Sequence, residues 1–288
     1  ESGAYSYLVK PVALDDLRVQ VQRALERRRL LEERQEHLRE LELAYRRERR
    51  IAETLQRWLI GEVPNVLPGG IRLAHRYQAA MREADVGGDF YDVFPLNEGR
   101  VGLLMGDVSG KGLNAARYTA LAKHFVYAYA LDERCPARVM ERTSRALNER
   151  APFEAFVTLF FGVLNPADGH LVYANAGHEP ALLYRGEGGP AIRLAATGPP
   201  AGALPGVRWR AGEVWVHRGD TLLLYTDGAT EARQGEHWLC TEGLERLAGN
   251  CLMLDPETAL ARIHEAILEF ADGRLYDDVA LLLLRREE

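Results

Sequence analysis

The sequence predicts an α+β protein: a sandwich of packed antiparallel sheets flanked by helices, preceded by one long coiled-coil helix. Three observations carry this. Residues Leu14 to Ile60 contain neither proline nor glycine and repeat an apolar or small residue every seventh position. After Pro64, Pro68, Gly69 and Gly70 the pattern turns to short apolar or alternating runs, the signature of strands. These runs follow one another and are interrupted by pairs of helical segments, which suits antiparallel sheets covered by helices better than a parallel doubly wound sheet.

The long helix rests on the series Leu17, Ala24, Leu31, Leu38, Tyr45, Ala52 and Leu59. At 1.5 Å per residue it extends about 70 Å. Its companion seam is apolar at Leu14 and Val21 but polar at Arg28, Gln35, Glu42, Arg49 and Gln56, so a weak coiled coil is expected. Strands are predicted at 71–78, 89–96, 101–107, 156–164, 171–175, 181–184, 213–217, 221–226 and 279–284. Helices are predicted at 113–131, 136–150, 241–247 and 256–270. The domain plan is therefore 1–13, a helical linker at 14–60, and a globular domain at 61–288.

Composition narrows the function classes. With 288 residues and 47% hydrophobic content the chain has the material for a real core. The net charge of -6 divides into +2 over residues 1–60 and -8 over 61–288. Nothing in that balance favours nucleic acid or an anionic membrane. The arginines of the linker are interleaved with glutamates rather than forming a basic face, which argues against a DNA-binding zipper. The longest aliphatic run, Val279 to Leu284, is far short of the roughly 20 residues a spanning helix needs. Three cysteines without CxxC spacing fit a reducing cytoplasm. Opening on Glu1, the chain is expected to be a piece of something longer.

Four segments place aspartate at a strand end or beside glycine: Val86-Gly-Gly-Asp-Phe-Tyr-Asp92, Gly106-Asp-Val-Ser-Gly-Lys-Gly112, Thr226-Asp-Gly228 and Tyr276-Asp-Asp-Val279. A buried strand that stops at an unpaired carboxylate is costly unless the charge meets a cation. Four such ends imply convergence on hard metal ions, and all-oxygen ligation points to Mg²⁺ or Mn²⁺ rather than Zn²⁺. Any one Asp-Gly pair is more often a plain turn. Gly106 to Gly112 is not a phosphate-binding loop, because three residues rather than four precede Gly-Lys and a glycine follows.

These segments, with Asn175-Ala-Gly-His178, Thr226-Asp-Gly-Ala-Thr-Glu-Ala232 and Asp277-Asp-Val-Ala280, occur in the order and approximate spacing of the SpoIIE/RsbU-like branch of the metal-dependent PPM serine/threonine phosphatases. The resemblance covers about residues 52 to 286. It implies an αββα sandwich with two Mn²⁺ or Mg²⁺ ions between the sheets. Asp107 would bridge both metals and the Val108 carbonyl would bind one. Asp227 and Asp277 would hold the other, with Asp89 completing the site directly or through water. Asp278 stands where many relatives have Asn, and Asp92 is expected to pack nearby. Two ions roughly 3.5–4 Å apart acidify a bridging water and aim the hydroxide at phosphorus, so no side-chain nucleophile is required.

Eukaryotic relatives hold the phosphate with an arginine shortly before the first metal-binding segment, where this chain reads Arg82-Glu-Ala-Asp85. Arg82 is the candidate substitute, a solvated surface arginine the alternative. His178 is a substrate-facing candidate for proton delivery to the leaving group, against a turn histidine bonded to backbone. The loop Thr197 to Gly202 resembles the one before the family's variable flap.

Gly3 to Pro11, followed by an amphipathic helix, looks like the last strand and helix of a response-regulator receiver, with Lys10 at its active-site lysine. The expected whole is receiver, linker and phosphatase: a cytoplasmic bacterial homodimer, joined through the coiled coil, whose register near Ala52, Leu55 and Leu59 controls the metal site. The expected substrate is a phosphorylated STAS-type anti-sigma-factor antagonist. The rival reading is a non-catalytic pseudophosphatase module in a two-component signalling protein. Retention of the four metal-site aspartates favours catalysis.

Overall fold

A computed structural model describes residues 14–61, 63–80, 87–150, 156–186 and 188–287, the side chains of Asp16, Glu48, Arg49, Ala52, Glu53 and Arg57 apart. Residues 1–13 and Arg82 therefore lie outside the described residues, as does the side chain of Ala52. The chain divides into two compact units between Ile51 and Ala52.

Helix α1 (Leu14–Ile60) ends at Ile60, where Gly61 closes the proline- and glycine-free stretch. In the first unit, the pairs Arg28–Glu32, Arg29–Glu33 and Glu42–Arg46 sit at i,i+4 spacing on exposed surface. Such pairs each add only a few tenths of a kcal/mol to the helix. Leu17, Leu31, Leu38 and Tyr45 of the seven-residue series are exposed.

Among its described residues the second unit has thirteen strands and the helices α2 to α6. One sheet takes β1 (Val66–Leu67), β2 (Ile71–Gln78), β7 (Ala181–Tyr184), β8 (Ile192–Leu194), β10 (Thr221–Tyr225) and β13 (Val279–Arg286) in the order β1-β2-β13-β10-β7-β8. The other takes β3 (Phe90–Pro95), β4 (Val101–Val108), β5 (Val157–Leu164), β6 (His170–Ala176) and β9 (Gly212–Trp215) in the order β3-β4-β5-β6-β9. A hairpin, β11 (Arg233–Gln234) and β12 (His237–Trp238), stands apart. Every strand ladder among the described residues is antiparallel. Helices α2 (Leu113–Asp132) and α3 (Pro136–Arg150) cover the second sheet. Helices α5 (Cys240–Gly249) and α6 (Pro256–Phe270) cover the first, giving the predicted layered sandwich.

The alternation of side chains along a strand explains the three cores. In β13, Ala280, Leu282 and Leu284 point between the sheets, whereas Val279, Leu281 and Leu283 face α5 and α6. In β4, Leu103 and Met105 face the sandwich interior and Leu104 faces α2 and α3. Strands covered on both faces read as continuous apolar runs, which is why Leu281-Leu-Leu-Leu284 shows no alternation.

The differences from expectation are local. Asp89, predicted as the first residue of a strand, precedes β3: its carbonyl accepts from the Gln56 side chain rather than from a neighbouring strand. The short β1, β8, the β11–β12 hairpin and the one-turn α4 (Asp227–Thr230) have no counterpart among the predicted elements, because two to four residues carry no periodicity to read.

Candidate metal centre

Four chain segments deliver carboxylates to one edge of the sandwich. Asp89 immediately precedes β3 and Asp107 is the penultimate residue of β4, both in one sheet. Asp227 opens α4 one residue beyond the end of β10, and Asp277 and Asp278 lead into β13, both strands belonging to the other sheet. The edge is therefore made by both sheets, and antiparallel pairing of β10 with β13 sets Asp227 beside Asp277 and Asp278.

One oxygen from each of Asp89, Asp107 and Asp227 lies within 4.8 Å of the others. Asp89 is 3% exposed. Burial first, then the Asp107 charge, pushes its carboxyl well above the ordinary range. Asp107 is pushed up to about 7 by burial and by the charges of Asp227 and Asp277. Asp227 is raised by burial and by Asp277. Lys111 Nζ lies 3.4 Å from Asp277 Oδ1 and offsets part of the charge. Like charges gathered in a low-dielectric pocket raise one another's pKa, and a divalent cation reverses that penalty.

The surrounding backbone fits a cation. A Cβ at Gly88 would lie 2.4 Å from the Val108 carbonyl oxygen and 2.5 Å from Asp107 Oδ1, so a side chain there would fill the space these oxygens face. Gly228 is likewise closed to substitution, since its Cβ would fall 1.9 Å from the Asp278 carbonyl oxygen. An oxygen-only donor set of carboxylates and a carbonyl suits Mg²⁺ or Mn²⁺.

Several residues with no legible sequence signal hold these aspartates and the backbone beside them. Thr226 Oγ1 donates to Asp89 Oδ2 at 2.6 Å and accepts from the Ala280 N–H at 2.9 Å. The backbone N–H consumes a hydroxyl lone pair, so the hydroxyl proton is directed at the carboxylate. Gln56, in the last turns of α1, is buried: its Nε2 donates to the Asp89 carbonyl at 3.0 Å and its Oε1 accepts from the Gly87 N–H at 2.9 Å. Thr119 of α2 donates to the Gly88 carbonyl at 3.3 Å. A glutamine on an arginine- and glutamate-rich helix reads as one more polar seam residue, and only its tertiary partners distinguish it.

Other predicted positions are placed as follows. Asp278 accepts from the Tyr77 hydroxyl at 2.7 Å and the Ala80 N–H at 2.8 Å, so both of its oxygens are engaged by the chain. Asp92 pairs with Lys123 Nζ at 2.9 Å, and that ammonium also donates to the Leu59 carbonyl at 2.7 Å. Leu55 and Leu59 pack against Ala116 of α2. His178 is 5% exposed; its Nδ1 lies 2.8 Å from Thr158 Oγ1 and its backbone N–H donates to Asn175 Oδ1. Burial drives the imidazole down to about 4, leaving it neutral at pH 7.

Residues 97–287 match the family described as Stage II sporulation protein E (SpoIIE). Phosphoserine phosphatase RsbU of Bacillus subtilis (strain 168) is 26% identical over 200 residues, which are 69% of this chain and 59% of that protein. Protein IcfG of Synechocystis sp. is 29% identical over 231 residues, 70% of this chain and 36% of IcfG. The chain thus spans about half the length of the curated relatives it matches. Among solved structures, the RsbU and RsbW domains of Rv1364c from Mycobacterium tuberculosis superpose with a TM-score of 0.67 at 25% identity, over 79% of this chain and 64% of that one. The SiaA-PP2C domain of Pseudomonas aeruginosa gives 0.63 at 20%, over 73% and 84%. The likeness in fold extends to the PP2C domain of SpoIIE itself, with a TM-score of 0.63 at 17% identity over 74% of this chain and 63% of that one. With its two-sheet sandwich and the family match running from the turn before β4 through β13, the chain belongs to the SpoIIE family.

Proposed function

We propose that the second unit is a metal-dependent protein phosphatase that removes phosphate from serine or threonine of a partner protein. The observation that carries this is the convergence of Asp89, Asp107 and Asp227 within 4.8 Å at a half-buried edge, with burial and mutual repulsion holding their carboxyls high. Asp89, Asp107, Asp227, Asp277 and the Val108 carbonyl would hold two Mn²⁺ or Mg²⁺ ions. When bound, the ions supply an acidified water and neutralise phosphoryl oxygens. The chain's own contribution is placement: Thr226 occupies Asp89 Oδ2 and leaves the other oxygen to a metal, and Gln56 fixes the backbone from Gly87 to Asp89. His178, neutral and bonded to Thr158, acts as a packing residue. Arg82 is kept as the candidate phosphate contact.

The family match and the RsbU relative support a STAS-type anti-sigma-factor antagonist as the substrate, in a cytoplasmic partner-switching system. Control is proposed to enter through α1, from a receiver domain of which residues 1–13 are the edge. Its last turns touch the site through Gln56 and pack on α2 through Leu55 and Leu59, and its exposed leucines suit a parallel homodimer.

Hydrolysis of p-nitrophenyl phosphate with Mn²⁺, Mg²⁺ or chelator, on the wild type and on Asp107→Ala and Asp227→Asn, tests the chemistry. Metal-dependent turnover lost in both variants is expected. Turnover that survives chelation, or survives Asp107→Ala, overturns the reading. Sedimentation that finds only monomer overturns the dimer.

A further inference from the structure

The β11–β12 hairpin follows Asp227 by six residues and carries Arg233 opposite Trp238 in its ladder. Arg233 is half-buried, and its guanidinium lies 3.8 Å from the centroid of the Tyr276 ring and 5.7 Å from that of Trp238. Tyr276 directly precedes Asp277. Both rings remain open to solvent, Trp238 at 47% and Tyr276 at 49%. The guanidinium forms no salt bridge among the described residues. It is held by ring faces, with Glu231 near enough to feel Arg233 on one side and Asp227 and Asp277 on the other. Two segments that carry metal-site aspartates thus meet again at the rim, where they present a cation fixed between two exposed aromatic rings.

Arginine, tryptophan and tyrosine are the residues that dominate binding energy at protein interfaces. A stacked arginine sacrifices little side-chain freedom on binding and keeps its donors for a carboxylate or phosphate. The domain otherwise carries a strong negative charge, so a cation beside the metal edge gives an anionic segment somewhere to rest. Resting on the phosphatase reading, we propose that Arg233, braced by Tyr276 and Trp238, is a specificity-determining residue that contacts acidic side chains flanking the phosphoserine of the protein substrate, and not the phosphate itself.

The test compares wild type, Arg233→Ala and Arg233→Lys on p-nitrophenyl phosphate and on two phosphoserine peptides that differ only in carrying Asp or Lys flanks, all with saturating Mn²⁺. The wild type is expected to have a KM about tenfold lower for the Asp-flanked peptide, roughly 1.4 kcal/mol. Arg233→Ala should abolish that preference with kcat unchanged, Arg233→Lys should restore part of it, and ester kinetics and Mn²⁺ affinity should stay within about twofold. A preference that is absent in the wild type or retained in Arg233→Ala overturns the inference. So does an equal loss on the small ester. A wild type inert toward ester and peptides alike overturns the phosphatase reading, and this inference with it.

Discussion

Replacing Asp107 with Asn should abolish activity yet stabilise the metal-free protein, and the structure sets the size of the effect. The Asp107 carboxyl is pushed from its ordinary 3.8 up to about 7 by burial and by the charges of Asp227 and Asp277. Holding it ionised in the folded state therefore costs roughly 4 kcal/mol relative to the unfolded chain. Because the native pKa is the higher one, the native state binds more protons between about pH 4 and pH 7. The contribution of this group to stability is thus present below pH 4 and lost as pH rises through 7. An amide of the same shape carries no charge but must still find hydrogen bonds in a tight pocket, which removes part of the gain. The net expectation for Asp107→Asn is about 2 kcal/mol at pH 8 in chelator, or roughly 4–8 °C for a domain of this size, shrinking to nothing near pH 4. Mn²⁺ should raise the melting temperature of the wild type and not that of the variant. Calorimetric scans at both pH values with and without metal make the measurement. A variant that melts at or below the wild type at pH 8, or shows the same difference at both pH values, would refute the account of the site as a cluster of repelling carboxylates.

Other outcomes follow from the hydrogen bonds around the clustered aspartates. Thr226→Val removes the donor to Asp89 Oδ2 and should weaken Mn²⁺ binding 10- to 100-fold by titration calorimetry, the usual effect of losing a ligand's partner, while Thr226→Ser retains it. Gln56→Ala frees the backbone of Gly87 and Asp89 and should lower both metal affinity and turnover; unchanged affinity would disconnect α1 from the site. His178 stands at about 4, so near pH 7 roughly one molecule in a thousand is protonated there. His178→Gln should accordingly leave the shape of the pH–rate profile between 6 and 9 intact, and loss of its basic limb would restore the histidine as a proton donor. Leu282→Ala, between the sheets, should cost about 2–5 kcal/mol in denaturant unfolding without changing metal affinity.

The elements with strong local signals are legible in the chain itself. The glycine after Ile60 ends α1 where predicted, and α3, α6, β2 and β7 match their predicted bounds. The aspartates are legible too, because a charge at the end of an apolar run is conspicuous in one dimension. Their relative placement is not. Asp89, expected only to complete the site directly or through water, is the most buried of the three that converge, whereas Asp277 lies outside the closest trio.

What the sequence by itself determined is the longer elements, their apolar faces and the four acidic strand ends, since each is written in spacing within one segment. Only the tertiary structure decided which groups stand behind the aspartates. Thr226 meets Asp89 across 137 positions, Gln56 meets it across 33, and Tyr77 meets Asp278 across 201. Hydrogen bonds act over about 3 Å of space and are blind to distance along the chain. A glutamine in a charged helix becomes a clamp on the Gly87–Asp89 loop only when the helix end is laid against that loop.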